Sequence, residues 1–434
     1  MPVDILNVFT PALAIGDPAR FAGRQGQLDA VSIALLSEGT QIVIYGNRGV
    51  GKSSLALQLA GIAQGDQTIL DRLNLKPNKT PDFLVIGIEC DDTIIDMRTL
   101  ILRLLTDESA LAPWIPFKVE KTTAGSEIAG VMNVKVFSLS GKLSNSDTLQ
   151  REAVQQDIYS TFGNAINHIL GAGIVAGILF IIDEVDRIKN RDDLPSIIRA
   201  RGADPRVKFA LVGVGTTPQE LIAGHESIVR QISDGCVEMP PMSNDELRQI
   251  FQNAHHVLKD EGLSFSVAAQ DWIIGIAKGH PYYVHLLGKH SLIKAVSTGV
   301  KTIDLEMARE VLAEIANKGT AKVQEAAYTK AIGHSYVREF VLKSFAKEEL
   351  EEINTSSIYP RISAARGMDA GAVSVYVGHL VSDKFGNVLE KTRERHYRFK
   401  DSLFKAYAAA RPFQYTADKV ENDDGSAGIV AWDQ

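Results

Sequence analysis

The chain switches between short unbroken apolar runs and longer stretches in which apolar positions recur every three or four residues, with glycine and proline gathered between them. Runs of the first kind fall at residues 42–45 (IVIY), 83–89 (FLVIGIE), 178–182 (ILFII) and in the segment 207–222 (VKFALVGVGTTPQELI), and each has the length of a buried strand. Helical stretches separate them. A turn and helix at 21–36 carry Leu28, Val31, Ile33 and Leu35, LALQLA follows the first strand, and helices are predicted at 93–105 and 150–170. Strands alternating with helices predict an α/β fold around a parallel sheet.

The pattern then changes. Residues 242–315 read as helix almost throughout, opened by a capping box of Ser243 and Glu246, with Leu247, Ile250, Phe251 and Ala254 on one apolar face. From 326 onward, helices are expected at 335–345, 355–365 and 370–383, then a hairpin of 388–391 and 396–400 around 392–394. One stretch, 106–148, breaks with all of this. It has Pro113 and Pro116, then alternating Met132, Val134 and Val136 bounded by glycine, and reads as an inserted β-hairpin. Residues 1–20 form an arm with no clear period.

A length of 434 residues exceeds one compact core, so about two to three domains are expected. The division is a core at 21–240 containing the insertion, an all-α lid at 241–325, a winged-helix domain at 326–412, and a flexible acidic tail at 413–434 with Asp418, Glu421, Asp423 and Asp424. With 45% hydrophobic and 23% charged residues, the composition is that of an ordinary globular protein. A net charge of −7 gives no overall attraction to nucleic acid or anionic membrane. Cys90 and Cys236 are the only cysteines, which excludes a disulfide framework. The N-terminus does not read as a secretion signal, and 169–182 is too short to span a bilayer, so a cytoplasmic location is expected.

The chemistry is concentrated after the first strand. Gly46, Asn47, Arg48, Gly49, Val50, Gly51, Lys52 and Ser53, followed by Ser54, reproduce the phosphate-loop pattern between a strand and a helix. Glycines let the backbone curl so that several N–H groups converge on a triphosphate above a helix N-terminus, Lys52 meets its outer phosphates, and Ser53 binds Mg²⁺. ATP and Mg²⁺ are the implied cofactors. The strand 178–182 delivers Asp183 and Glu184 to its C-terminal end, where open parallel sheets hold ligands. Asp183 suits the support of Mg²⁺, and Glu184 suits a general base acting on water. His280, His285 and His290, five apart, point successive side chains roughly 140° apart on a helix and do not make a metal site.

The order of Gly23-Arg24, helix, phosphate loop and DEVDRI resembles AAA+ ATPases of the origin-recognition type and their relatives, the STAND signalling ATPases. The resemblance implies that Phe21, Ala22, Gly23 and Arg24 lie against adenine and that Thr216 stands at the position of a γ-phosphate sensor. It also implies that Arg230 is an arginine finger completing a neighbouring subunit's site. Gly279-His280-Pro281 is similar to the GxP element of STAND proteins, whose proline approaches the base and couples the lid to nucleotide state. Self-association through nucleotide-bridged interfaces and a protein effector follow from the same resemblance.

RHYRFKDSLFKAYA resembles the end of the winged modules that close STAND-type ATPases. Its wing is basic, with Lys391, Arg393, Arg395, Arg398 and Lys400, and allows contact with DNA phosphates. The helix that would enter a groove begins Asp369, Ala370, Gly371, Ala372, none of which reads a base. The expectation is therefore an ATP-hydrolysing switch. Two alternatives stay open, a DNA-associated initiator or transposition-helper ATPase and a slowly hydrolysing scaffold.

Overall fold

The computed structural model describes residues 5, 7–74, 77, 80–120, 132–136, 153–222, 228–317, 322–348, 350 and 352–415. In chain order the strands of the first half are β1 (Ile42–Gly46), β2 (Phe83–Glu89), β3 (Phe117–Glu120), β4 (Met132–Val136), β5 (Ala153–Gln156), β6 (Gly177–Asp183), β7 (Val207–Val214) and β8 (Cys236–Met239). Five of them form one sheet in the order β2-β6-β7-β1-β8, and every pair in it is parallel. The α/β class read from the sequence, with the phosphate loop on a parallel sheet and helices behind it, is the architecture of the chain. The continuous apolar runs have a physical reason, since helices cover both faces and leave no solvent side on the central strands. In β6 and β7 every residue is buried except the last.

One face of this sheet packs against the helices Met97–Thr106 and Ile158–Gly171. Its centre is aromatic. Phe180 stacks on Phe209 at 5.2 Å between ring centroids, and Phe162 meets Phe180 at 5.3 Å. The helix predicted at 93–105 starts only at Met97, because Asp91 and Asp96 accept the N–H groups of Thr93 and Thr99 and each makes its own local turn. The helix predicted at 150–170 starts at Ile158 behind an Asp157 cap. Just before it, β5 pairs antiparallel with β4, which pairs antiparallel with β3, so the alternation at 132–136 lies in a three-stranded sheet. Much of the insertion, residues 121–131 and 137–152, lies outside the described residues.

The start of β1 is pinned from below by buried polar groups that carry no periodic signature. The Gln41 side chain accepts Phe209 N–H at 2.7 Å and donates to the Val207 carbonyl at 3.3 Å, fixing β1 against β7. Lys208, on β7 and only 1% exposed, donates its ammonium to the carbonyls of Ser37 and Thr40 and so holds the chain entering β1.

The chain falls into two units, one comprising Ala14–Asn47 and Gly51–Pro240, the other Met1–Leu13, Arg48–Val50 and Pro241–Gln434. In the second unit, helices Asn244–Leu258, Val267–Ala277, Pro281–Thr298 and Leu305–Asn317 fill the stretch read as helical, interrupted by a two-residue parallel pairing of β9 (Ser264–Phe265) with β10 (Thr302–Ile303). The N-terminal arm supplies a core residue here. Phe9 is fully buried, its ring 5.8, 5.7 and 5.9 Å from Phe251, Phe265 and His285, and it lies against Gly288, where any side chain would collide with it at 2.8 Å.

Helices Tyr336–Ala346, Thr355–Arg366, Ala370–Val381 and Ser402–Ala410 accompany β11 (Ile353–Asn354), β12 (Leu389–Arg393) and β13 (His396–Phe399), an antiparallel sheet in the order β11-β13-β12. The start of the expected tail is docked. Gln414 and Tyr415 donate their backbone N–H groups to the fully buried Glu339 carboxylate at 2.6 and 3.0 Å, and Tyr328 donates its hydroxyl to it at 2.7 Å. Lys343 donates to the Ala408 and Arg411 carbonyls, and Arg411 grips Glu325 at 2.8 and 2.6 Å. Residues 416–434 lie outside the described residues.

Burial pushes the Lys208 pKa down from 10.5 to about 8. Between those values the unfolded chain binds more protons than the folded one, so stability rises with pH across that window and the penalty is fully present below it. Urea unfolding of wild type and Lys208→Met at pH 7.5 and pH 10 checks this. Wild type gains about 2 kcal/mol relative to the variant over that interval.

Candidate functional site

Parallel pairing places the C-terminal ends of β1, β2, β6 and β7 along one edge of the sheet. Register fixes how close the candidate groups stand. Val43 and Ile182 both pair with Leu211 of β7, so Asp183 ends β6 one strand away from β1, where the phosphate loop begins at Gly46. Glu89 of β2 pairs with Asp183 on its other side.

The loop itself is shaped by glycine. Gly46 has φ 148°, and a Cβ there would stand 2.5 Å from the Met239 carbonyl oxygen at the end of β8, so only glycine lets these strands close together. Gly51, at φ 97°, is the left-handed residue that starts the helix Lys52–Ala63 and turns its N–H groups into the loop. Lys52 is buried and donates its ammonium to the carbonyls of Gly46 and Asn47 at 3.1 and 2.8 Å. A phosphate oxygen is a better partner for that ammonium than either carbonyl, since a charged acceptor strengthens the bond. Arg48 is exposed on the loop.

Asp183 and Ser53 are hard oxygen donors of the kind Mg²⁺ takes, in a site where phosphates and waters supply the remaining positions. One Asp183 carboxylate oxygen accepts the Glu184 N–H at 2.8 Å. Glu184 has φ 53° and ψ 37°, a left-handed conformation that costs a non-glycine residue about 1 kcal/mol or more. Its carboxylate is paired with Arg187 at 2.7 Å, and Arg187 also reaches Asp92 at 3.0 Å. The two acids raise the arginine's pKa above its usual value, Glu184 contributing most. The second aspartate of DEVDRI serves the fold, since Asp186 accepts the Val214 N–H at 2.8 Å and ties the turn after β6 to the end of β7.

Other expected site residues have structural partners. Ser54 accepts the Ile15 N–H at 3.0 Å, so its hydroxyl oxygen serves the N-terminal arm. Thr216 is exposed, and its hydroxyl and N–H both donate to the Glu220 carboxylate at 2.5 and 3.0 Å, an arrangement that ties the expected phosphate sensor to the short helix Pro218–Leu221 that follows it. Arg230 is exposed on the short helix Val229–Ile232. Pro281 opens the helix Pro281–Thr298, preceded by Lys278 and Gly279 with positive φ. Met242 N–H donates to the Gly279 carbonyl at 2.8 Å, and a Cβ on Gly279 would stand 2.5 Å from the Pro241 ring.

Phe21, Ala22 and Arg24 are buried, and Gly23 and Arg24 both have φ near 60°. The residue that holds them was not visible in the sequence. Arg72 donates to the carbonyls of Phe21 and Gly23 at 2.7 and 2.8 Å, with its guanidinium 5.5 Å from the centre of the Phe21 ring. No motif marks it, and its place at the last turn of a six-residue helix is where an arginine is ordinarily solvated.

Gly46→Ala is expected to destabilise the sheet unit by about 2 kcal/mol or more through the contact with Met239. Urea unfolding of the purified variant measures it.

No protein-family model matches the sequence, and no curated protein matches it. Among solved structures, the chain is similar to the RuvB Holliday junction branch migration motor of Thermotoga maritima, at 15% identity over 89% of this chain and 95% of that one, with a TM-score of 0.41. It is similar to Cdc6p from Pyrobaculum aerophilum, at 13% identity over 93% and 96% and a TM-score of 0.45. The Orc1 protein of Aeropyrum pernix, in a structure with DNA, is similar at 14% identity over 93% and 95%, with a TM-score of 0.42.

Proposed function

We propose that the chain is an AAA+ ATPase that works as a nucleotide-dependent switch, holding Mg²⁺-ATP at the C-terminal edge of its parallel sheet and hydrolysing it slowly. The observation that carries this reading is that the phosphate loop leaves the end of β1 while Asp183 ends β6 with Glu184 directly after it, with one strand between them and on the same edge. In this reading Gly46, Gly49 and Gly51 shape the phosphate cradle, Lys52 exchanges its two loop carbonyls for phosphate oxygens, and Ser53 and Asp183 hold the cation. Bound Mg²⁺ neutralises charge on the phosphates. Glu184 orients water and takes its proton, and to do so its carboxylate must first leave Arg187. That pairing favours a slow enzyme at rest. Phe21 to Arg24 form the base wall, Pro281 belongs to the helical lid, and Arg230 is the candidate for a neighbouring subunit's site. Self-association, a protein effector and a cytoplasmic setting complete the switch as proposed.

Two substitutions separate binding from turnover. Lys52→Ala is expected to abolish ATP binding, whereas Glu184→Gln keeps wild-type affinity and turns over about 100-fold more slowly. Fluorescent-nucleotide titration and phosphate release measure the two quantities, and undiminished turnover in both variants rejects the assignment.

A DNA-associated reading is the second, favoured by the winged-helix order of the C-terminal elements and by the exposed Lys391, Arg395 and Lys400. It is weakened by the rest of the wing, where Arg393 pairs with Glu352 at 3.0 Å and Arg398 with Glu390. It is weakened again by Asp369, whose carboxylate caps the helix Ala370–Val381 at the end where a phosphate would sit. If the wing reads phosphates, log affinity for duplex DNA falls against log salt with a slope of about −3 for three contacts. Absence of binding at about 50 mM salt removes this reading.

A further inference from the structure

The stretch 15–24 and the two helices that follow the phosphate loop are fastened together by side chains aimed at main-chain atoms. At one end, Ser54 accepts the Ile15 N–H at 3.0 Å, and Gln58, only 1% exposed, donates to the carbonyls of Ile15 and Gly16 at 2.9 and 3.0 Å. In the middle, Asp17 makes a turn, its side chain accepting Ala19 N–H and its carbonyl accepting those of Arg20 and Phe21. At the other end Arg72 holds the carbonyls of Phe21 and Gly23.

Arg72 is itself carefully placed. Helix Gln67–Arg72 starts at Asp66, whose carboxylate accepts Thr68 N–H at 2.8 Å, directly after Gly65 at φ 77°. It lies close to the preceding helix, because Gly61 leaves room for Ile69, whose terminal carbon would be 2.6 Å from a Cβ at that position. Burial lowers the Arg72 pKa, so the guanidinium has given up water that its two carbonyl partners must replace. A planar fork bridges carbonyls two residues apart, which a single ammonium cannot do in the same geometry. The turn it clamps contains a left-handed arginine, Arg24, and a strained conformation of this kind persists only where its surroundings over-determine it.

We infer that Arg72 is a positioning residue for recognition of the nucleobase, presetting the main chain of Phe21 to Gly23 that contacts adenine while leaving the phosphate cradle to the loop 46–53. This rests on the reading of Phe21 to Arg24 as the base wall. Base selectivity then depends on a helix that follows the phosphate loop in sequence, and phosphate affinity does not.

The test uses the full chain with Mg²⁺ and three probes: ATP, GTP and inorganic tripolyphosphate as a competitor that lacks base and ribose. Two substitutions are compared, Arg72→Met and Arg72→Lys, the second keeping the charge and bulk that the fold accommodates. Both are expected to raise KM for ATP about tenfold with kcat within about twofold of wild type, the loss of two charge-assisted hydrogen bonds. Tripolyphosphate inhibition stays at the wild-type value, and the preference for ATP over GTP falls. An unchanged KM, an equal loss for ATP and tripolyphosphate, or full recovery by Arg72→Lys each overturns the inference. If wild type binds ATP no better than tripolyphosphate, the base-wall reading falls with it; if Lys52→Ala leaves ATP binding intact, so does the whole site.

Discussion

The parallel pairing of β1 and β6 on either side of β7 is the constraint on which the candidate site depends. A parallel sheet sends every strand the same way, so whatever follows a strand accumulates on one edge, and the end of β1 at Gly46 and the end of β6 at Asp183 both stand there despite their separation in sequence. Antiparallel pairing of either strand would have sent its carboxylates or its loop to the opposite edge. The lower end of the arrangement is secured by Gln41 and Lys208, buried polar groups bonded to main-chain atoms, which make the position of β1 costly to change. At the upper end the contact between Gly46 and Met239 draws β1 and β8 together where the loop departs.

The strands were legible because a buried parallel strand writes a continuous apolar run, as β6 does, whereas β2, at the edge of the sheet, has the run but is buried only at Ile86. Helix starts were less so. Asp91, Asp96 and Asp157 postpone helices that periodicity alone would begin earlier, since an aspartate that accepts a nearby N–H competes with the helix for that group. The capping box of Ser243 and Glu246 could be read because both partners are local. Gln41, Arg72 and Phe9 could not. Their partners are distant in sequence, and a glutamine before a strand, an arginine ending a short helix or a phenylalanine in an aperiodic arm carries no spacing from which a partner can be inferred.

The candidate chemistry was legible in residue type more than in commitment. Glu184, Ser54, Thr216, Arg393 and Arg398 all carry groups suited to a ligand, and each is bonded to another part of the protein. For Glu184 the partner is an exposed arginine whose hold in water is weak, so the pairing is reversible at small cost. For Ser54 the partner is backbone, and its loss would leave the Ile15 N–H without an acceptor. The same kind of contact therefore means a resting position in one case and a structural fixture in the other.

Phe9 joins the N-terminal arm to a core built much later in the chain. A residue so near the beginning serves as a plug among Phe251, Phe265 and His285, so the helical unit is sealed only by chain that lies more than two hundred residues upstream of it. A chain made from its N-terminal side must hold that aromatic in reserve until the helices that receive it exist. The helices that carry Phe251 and His285 therefore cannot complete their core from their own stretch of sequence, whatever order they adopt.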